Sequence, residues 1–346
     1  RRDGKVIWLG HLDVVPEGSR ELWKHDPFKG EIVDDRVYGR GSTDMKGSCA
    51  SAILAAKILS SIPVESHAET EFWLTCDEEV GATDGAKWLA ETGRLQGDVC
   101  IIGDSSGAKP TAPVIDIGCK GSIRVKLKAA GRTAHGSLPF IGDNAIDKLL
   151  KAVECVRRIE NYRLQIPDEL EPVIQSSIDI FRRTVVQGEE EEGLRRCFHY
   201  PTVSLNLIHG GVKVNVVPDY AEAAFDIRVT PGGGIQNVYT FVKKLIDESG
   251  LRNVSFDAEV KDGYYESPQS EMLKQFSEAV ESVLEMTPTQ KILTGGTDAI
   301  HVKKYTPIPC IGFGAGVEGL PHAAEEYVPI ENLVMACKVY AAFPLL

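Results

Sequence analysis

Strand-like and helix-like segments alternate from Lys5 to about Ser106, and this alternation limits the fold more than any other feature. VIWLGHLDVV, ETEFWLTCDEE and VCIIGDSS are strand-like, whereas MKGSCASAILAAKILSSI carries apolar residues at helical spacing and TDGAKWLAETGRL is helix-like. The same rhythm resumes after about Gly263 with SEMLKQFSEAVESVL, PIPCIGFGAG and ENLVMACKVYAAF. Strands that alternate with helices favour a mostly parallel sheet covered on both faces. We therefore predict an α/β domain formed by residues 1–119 and 263–346.

A different order of elements occupies residues 120–262. SIRVKLKAAG, TVSLNLIHGG, YAEAAFDIRVT and NVSFDAEVKDG are strand-like, and AIDKLLKAVECVRRIENY and VYTFVKKLIDES are helix-like. The resulting β-α-β-β-α-β order is that of a ferredoxin-like domain, which we predict to be inserted into the first. The stretch from Pro167 to His199, with its acidic run at 189–192, fits neither pattern. We predict an irregular, solvated excursion there.

The composition excludes several classes of protein. The chain has 346 residues, 43% of them apolar and 25% charged, which is typical of a soluble globular protein and not of a disordered one. No apolar run approaches the ~18 residues of a membrane span, and the start, RRDGKVIWLGHLD, is not expected to be a signal peptide. The net charge of −12 predicts no nucleic-acid partner. The eight cysteines form no C-x-x-C pair, which favours reduced thiols in a cytoplasmic protein over disulfides or a thiolate zinc site.

Acidic residues and histidines follow the predicted strands. They are His11 and Asp13 after the first strand, Glu78 and Glu79 after the second, Asp104 after the third and His322 after a later one. Ligands of open α/β sheets bind beyond these carboxyl ends. Two histidines and several carboxylates without a thiolate suit Zn²⁺, Co²⁺ or Mn²⁺. The ligands suffice for two ions that share one carboxylate, ~3.5–4 Å apart.

Each of these residues also has a purely structural interpretation. At a period of two, His11 and Asp13 point to the same face, where the acid could orient a metal-bound imidazole or form an ordinary pair. Asp44 in GRGSTDMKG fits a helix N-cap, although the glycines around it would also let a bend place it in a cleft. The adjacent Glu78 and Glu79 repel each other, so a cleft location needs a cation or a proton. On a strand they would point to opposite sides and could have different roles.

Two other motifs are set aside. Gly314-Ala-Gly316-Val-Glu-Gly319 matches a dinucleotide fingerprint and follows a strand, but Leu320-Pro321 comes next instead of a helix. Cys49 and Cys76 have no basic neighbour that would activate a nucleophile, and we expect both to be buried thiols.

The segments from HLDVVP to PHAAEEYVPI resemble, in order, those of a zinc metallopeptidase family. This family includes acetylornithine deacetylase, succinyl-diaminopimelate desuccinylase, aminoacylase, carboxypeptidase G and several dipeptidases. The resemblance implies a zinc-bearing α/β/α catalytic domain interrupted by a smaller dimerisation or lid domain, and hence a homodimer formed through the lid. It also implies two divalent metal ions, of which Zn²⁺ is the first choice and Co²⁺ and Mn²⁺ are alternatives.

The resemblance assigns the metal ligands. His11 and Asp104 would bind one ion, Glu79 and His322 the other, and Asp44 would bridge both. In the resembled family the peptide bond that follows the bridging aspartate is cis.

The resemblance also assigns the groups that act on the substrate. Asp13 would orient His11, and Glu78 would be the general base, taking a proton from the metal-bridging water and passing it to the leaving amine. Glu326 matches a recurrent acid behind the ligands. His135 in GRTAHGSLP would reach the oxyanion across the dimer. The substrate's carboxylate and neighbouring polar groups would be bound by Asn215, Arg228 and the loop of Gly295, Gly296 and Thr297.

Three functions stay open, in this order. The first is a metal-dependent amidohydrolase that releases an amino acid from an N-acyl-amino acid, the second a dipeptidase or carboxypeptidase on the same site, and the third a non-catalytic binding protein. In the resembled family an aspartate at position 104 accompanies dipeptidases, whereas NVVPD and DIRVTPG are closer to the deacetylase and desuccinylase branch. In the resembled family a helix and a strand usually precede the strand that carries the first metal ligand. We therefore expect either that this chain is a fragment of a longer protein or that this preceding helix and strand are missing.

Overall fold

The computed structural model describes residues 4–186 and 190–346. Its strands are β1 (Lys5–His11), β2 (Glu31–Val33), β3 (Arg36–Tyr38), β4 (Glu69–Thr75), β5 (Val99–Ile102), β6 (Val114–Cys119), β7 (Gly121–Ala130), β8 (Ala134–His135), β9 (Thr202–Gly210), β10 (Val216–Val217), β11 (Tyr220–Val229), β12 (Val254–Lys261), β13 (Tyr264–Tyr265), β14 (Thr289–Leu293), β15 (Cys310–Gly312) and β16 (Tyr327–Pro329). Its α-helices are α1 (Gly47–Leu59), α2 (Ala86–Glu91), α3 (Ala145–Arg157), α4 (Glu171–Thr184), α5 (Glu191–His199), α6 (Ile235–Glu248), α7 (Glu271–Leu284), α8 (Ala299–Tyr305) and α9 (Ile330–Ala342). Within the described ranges, no helix is long and apolar enough to cross a membrane.

The first compact unit comprises Arg1–Cys119, Glu169–Glu191 and Tyr264–Leu346. Its sheet has the order β13-β6-β15-β5-β1-β4, with β14 also pairing with β6. The pairs β1–β4, β1–β5, β15–β5 and β14–β6 are parallel, whereas β6 is antiparallel to β13 and β15. The predicted α/β class with a mostly parallel sheet is therefore confirmed.

Strand β1 lies inside this sheet and carries the first candidate ligand at its end. Its residues Val6 to Leu9 are at most 2% exposed, because both faces of a parallel sheet are covered. Helix α1 packs against α9, and Ala52 and Ala55 of α1 are buried. The continuous apolar run ends at His11, which is the last residue of the strand.

The second compact unit comprises Lys120–Asp168 and Glu192–Gly263. Its antiparallel sheet has the order β12-β7-β11-β9, and α3 and α6 contribute to the same apolar core. Along the chain the elements follow the predicted order, β7-α3-β9-β11-α6-β12, with a short β8–β10 ribbon added. Helix α3 begins at Asn144, whose side chain accepts the N–H groups of Ile146 and Asp147.

The prediction of an irregular excursion from Pro167 to His199 is wrong, because this stretch contains α4 and α5. Helix α4 has a buried apolar stripe that includes Val173, Ile178 and Phe181 and belongs to the first unit. Pro172 lies in the first turn, where its missing N–H is not needed by the helix. In the acidic run, Glu190 and Glu192 are exposed, and Glu189 lies outside the described residues.

All eight cysteines lie in the described ranges and are free thiols. Cys49 is buried, as predicted, and burial raises the pKa of its thiol to about 12. The prediction of burial is wrong for Cys76, which is exposed because it follows the end of β4.

Candidate metal centre

His11, Asp44 and Asp104 form a first group whose ligand atoms all lie within 4.8 Å of one another. His11 is 1% exposed, and its Nε2 lies 3.1 Å from Oδ1 of Asp44. Its other ring nitrogen, Nδ1, lies 3.1 Å from the carbonyl oxygen of Asp13 and 3.4 Å from Oδ1 of the same residue. Asp13 therefore fixes the orientation of the ring, as proteins commonly do for a metal-bound imidazole.

Asp44, Glu79 and His322 form a second group within the same 4.8 Å limit. Nε2 of His322 lies 3.3 Å from Oδ2 of Asp44 and 3.1 Å from Oε2 of Glu79. Asp44 thus directs one carboxylate oxygen to each histidine and belongs to both groups.

The turn that presents Asp44 is held from behind by Glu326. The carboxylate of Glu326 is fully buried and accepts the backbone N–H groups of Gly41, Thr43 and Asp44 at 3.1, 2.9 and 3.0 Å. Arg40 donates a further hydrogen bond from Nη1 to Oε2 of Glu326 at 2.5 Å. Asp44 is not a helix cap, since the N-cap of α1 is Lys46.

The peptide bond between Asp44 and Met45 is cis, as the family resemblance implied. Gly41 precedes this turn with φ +84°, in the left-handed region that favours glycine.

Arg40 also joins the two sides of the cluster. Besides Glu326, it donates to the carbonyl oxygen of His322 at 3.2 Å, so one buried side chain contacts both ligand-bearing loops. Sequence reasoning missed Arg40, because an arginine in a glycine-rich loop has no pattern that distinguishes it from a solvated one.

Glu78 and Glu79 lie on a 3₁₀ turn that begins after β4. The expectation that they continue the strand on opposite sides is wrong, because the strand ends at Thr75. Asp13 holds this turn as well, its two oxygens accepting the N–H groups of Glu78 and Glu79 at 3.3 and 3.1 Å. One carboxylate therefore positions both a histidine and the paired glutamates.

Asp104 lies just beyond β5, where the glycines of the rejected dinucleotide motif contact its turn. A Cβ at Gly314 would lie 2.3 Å from the carbonyl oxygen of Gly103, and one at Gly316 would lie 2.8 Å from that of Ser105. These glycines therefore permit close approach of two backbone segments, and the spacing has no connection with a nucleotide.

The electrostatics of the cluster are those of crowded carboxylates. Burial and the neighbouring Asp104 raise the pKa of Glu78 to about 9, and burial also raises the pKa of Asp104 well above its usual range. Burial and Asp44 raise the pKa of Glu79. Burial alone would lower the pKa of His11, but its contacts with Asp44 and Asp104 outweigh this and raise it to about 10. A divalent cation would relieve this repulsion.

The donor set fits such a cation. Each group offers one imidazole nitrogen and two carboxylate oxygens, which suit Zn²⁺, Co²⁺ or Mn²⁺ and leave room for a water or substrate. These clusters are therefore candidate sites for divalent metal ions.

His135 and Asn215 are neighbours in the second unit. Nδ1 of His135 accepts the N–H of Ser137 at 3.2 Å and lies 2.7 Å from the Ser137 hydroxyl, so the neutral ring carries its proton on Nε2. The carbonyl oxygen of Asn215 accepts the N–H of Gly136 at 2.8 Å.

The remaining predicted substrate residues have separate environments. Arg228 forms a two-point contact with Asp226 through Nε and Nη2 at 2.7 and 3.0 Å, and its Nη1 has no hydrogen-bond partner among the described residues. In the loop after β14, Gly295 and Gly296 are exposed and Thr297 is buried.

Comparison with known proteins agrees with this architecture. The profile of Peptidase family M20/M25/M40 matches residues 7–345. A succinyl-diaminopimelate desuccinylase of Rickettsia felis is 29% identical over 346 residues, covering 98% of this chain and 82% of the relative.

Two solved structures share the fold. An M20 family metallo-carboxypeptidase of Sulfolobus solfataricus superposes with a TM-score of 0.81 at 22% identity, covering 99% of this chain and 84% of the other. Human carnosine dipeptidase 1 gives a TM-score of 0.71 at 21% identity, covering 99% and 80%.

An α/β sheet whose strand ends converge on histidines and carboxylates defines a metallohydrolase. The chain belongs to Peptidase family M20/M25/M40. It is a hydrolase of amide or peptide carbon–nitrogen bonds.

Proposed function

We propose that the protein is a di-zinc amidohydrolase that releases a free amino acid from an N-acyl-amino acid. The observation that carries the proposal is the geometry of Asp44, whose two oxygens lie 3.1 and 3.3 Å from the two histidines. His11 and Asp104 would hold one ion and Glu79 and His322 the other. When bound, the ions would supply Lewis acidity toward the amide carbonyl and lower the pKa of water.

Glu78 is the proposed general base. It takes the proton of the attacking water and later delivers it to the leaving nitrogen. Burial and the neighbouring carboxylates raise its pKa to about 9, and bound cations would lower that pKa, so that the carboxylate could accept the proton. Asp13 holds the Glu78 turn and the His11 ring in fixed positions through the contacts described above.

The second unit would supply the remaining contacts with the substrate. His135, from the partner subunit, would donate its Nε2–H to the oxyanion, and the Ser137 contacts favour the tautomer that this requires. Arg228 and Asn215 would bind the carboxylate of the substrate together with the backbone of Gly295, Gly296 and Thr297. Nη1 of Arg228, which has no partner within the described ranges, supports this assignment.

A homodimer through the second unit is part of the proposal. Strand β9 lies at the edge of its sheet and exposes Leu207 and Ile208, and the following loop exposes Val212 and Val214 almost completely. Edge strands and apolar patches of this kind are usually covered by a partner. The free thiols favour a reducing compartment, and we propose the cytoplasm.

The alternative function is a dipeptidase or carboxypeptidase on the same site. The aspartate at position 104 favours the dipeptidase, whereas the segments around Asn215 and Arg228 favour the acyl-amino acid.

A competition assay separates the two functions. Protein loaded with Zn²⁺ or Co²⁺ is given equal amounts of N-acetyl-amino acids, N-succinyl-amino acids and unblocked dipeptides, and the products are identified by mass spectrometry. We expect preferential loss of an acyl group. Preferential cleavage of the dipeptides would refute the acyl-amino acid assignment and make Asp104 the better guide.

A further inference from the structure

A buried lysine lies beside the turn that carries Asp104. Lys291 on β14 is 0% exposed, and its Nζ donates to the carbonyl oxygen of Ser106 at 2.8 Å and to Oε2 of Glu318 at 2.5 Å. The same Nζ lies 3.4 Å from Oδ1 of Asp116, a residue that is also 0% exposed. One cation therefore faces two carboxylates and one backbone carbonyl.

Each carboxylate also accepts a hydrogen bond from the turn that follows Asp104. The hydroxyl of Ser105 donates to Oδ2 of Asp116, and the hydroxyl of Ser106 donates to Oε2 of Glu318 at 3.1 Å. Together with the Ser106 carbonyl, the two residues that follow the candidate ligand make three polar contacts to this cluster.

The strands on both sides of Asp116 determine the space available to the cluster. Lys291 and Asp116 are register partners on the parallel strands β14 and β6. On the other side of Asp116 lies Gly312, where a Cβ would stand 2.7 Å from that of Asp116. A larger residue at 312 would therefore displace the carboxylate that holds Ser105.

Stability alone gives a poor reason for this arrangement. Burying a charge costs several kcal/mol of desolvation, and replacing a buried ionic cluster with apolar residues is often neutral or stabilising. A network that fixes the orientation of a metal ligand has a different advantage, since outer contacts of this kind tune metal affinity by ~10–100-fold.

We propose that Lys291, with Asp116 and Glu318, is a positioning group for the metal ligand Asp104. The ammonium holds both carboxylates in place, and the three side chains together fix the Ser105–Ser106 turn. Asp104 then points at His11 before any ion arrives. This inference rests on the proposed metal site.

The test is the affinity of the full-length protein for Co²⁺ alone. Metal-free protein is titrated with Co²⁺, followed by calorimetry and by the visible absorption of the bound ion. For Lys291→Met we expect one of the two binding steps to weaken by ~10–100-fold, with a changed Co²⁺ spectrum, while the other step stays within about threefold of wild type.

Lys120→Met is the matched control. Lys120 is 1% exposed in the second unit, where its Nζ donates to the carbonyl oxygen of Cys197 and lies 4.7 Å from the centre of the Phe198 ring. The substitution removes a buried ammonium that contacts residues of the second unit, and we expect both Co²⁺ steps to be unchanged.

If Lys291→Met does not fold, the triple variant Lys291→Met, Asp116→Asn, Glu318→Gln removes all the buried charge and decides the question. One weakened Co²⁺ step in whichever variant folds supports the proposal. Wild-type affinities, or equal weakening of both steps, would overturn it. Failure of the wild-type protein to bind Co²⁺ would instead overturn the proposed function, and this inference with it.

Discussion

Glu326→Gln is expected to be among the most destabilising single substitutions near the metal centre. The fully buried carboxylate accepts hydrogen bonds from Arg40, Gly41, Thr43 and Asp44. A glutamine must turn an N–H₂ group toward two of these donors, and it leaves the buried Arg40 without a counter-charge. Breaking a buried ion pair from one side costs about 3–5 kcal/mol. Since folded domains are stable by only ~5–15 kcal/mol, this loss is at least about a fifth of the total.

The assay is the free energy of unfolding, measured by denaturant titration of the metal-free protein. Glu325→Gln is the matched control, because the neighbouring side chain is partly exposed, pairs with His25 at 2.9 Å and also accepts the backbone N–H groups of Lys24 and His25. We expect that control to lose clearly less, about 1 kcal/mol, because solvent screens the charge of a partly exposed pair. Equal losses in the two variants would refute the argument that Glu326 is the anchor of the Asp44 turn.

Four further outcomes are expected. Glu78→Ala should retain metal and lose nearly all turnover; unchanged turnover would contradict its role as base. His135→Ala should also be nearly inactive, and mixing it with the Glu78→Ala protein should restore part of the activity if the histidine acts across a dimer; no recovery would contradict that arrangement. Iodoacetamide at pH 8 should label Cys76 in the native protein and spare Cys49, whose pKa burial raises to about 12, as read by peptide mass spectrometry. Because burial raises the pKa of Asp116 to about 6, above the ~3.9 of an unfolded chain, its contribution to stability is full below pH ~4 and is lost as pH rises through 6. Asp116→Asn should therefore gain stability relative to wild type between pH 4 and 7, and a constant difference in unfolding free energy would contradict this.

Much of the fold follows from local pattern. The apolar run that ends at His11 predicts a covered parallel strand, and parallel strands bring their carboxyl ends to one edge of the sheet. The position of Asp104 after the next such strand could be predicted for the same reason. Convergence of the candidate ligands is thus a consequence of topology, which periodicity reveals.

The groups behind the ligands could not be predicted in this way. Arg40 is buried because it meets Glu326, a residue 286 positions away, and nothing near Arg40 in the sequence indicates that partner. Lys291 lies in a short strand where an isolated lysine suggests a solvated face, yet its polar partners Ser106, Asp116 and Glu318 come from three other segments.

Helix α4 was missed for a local reason. The stretch from Pro167 to His199 was predicted to be irregular, although Pro172 suits the first turn of a helix and the apolar residues after it recur at helical spacing. The end of β4 was also predicted wrongly. Because the strand stops at Thr75, Glu78 and Glu79 lie on a turn and Cys76 is exposed.

The most direct test of the central claim is the dependence of hydrolysis on bound metal. Protein stripped of metal by a chelator is titrated with Zn²⁺ while the hydrolysis of an N-acyl-amino acid and the bound zinc are measured together. We expect no activity without metal and a rise that saturates at two ions per chain, with Asp44→Asn defective in both measurements. Full activity in the stripped protein, or saturation at one ion with Asp44→Asn unaffected, would contradict a shared two-metal site.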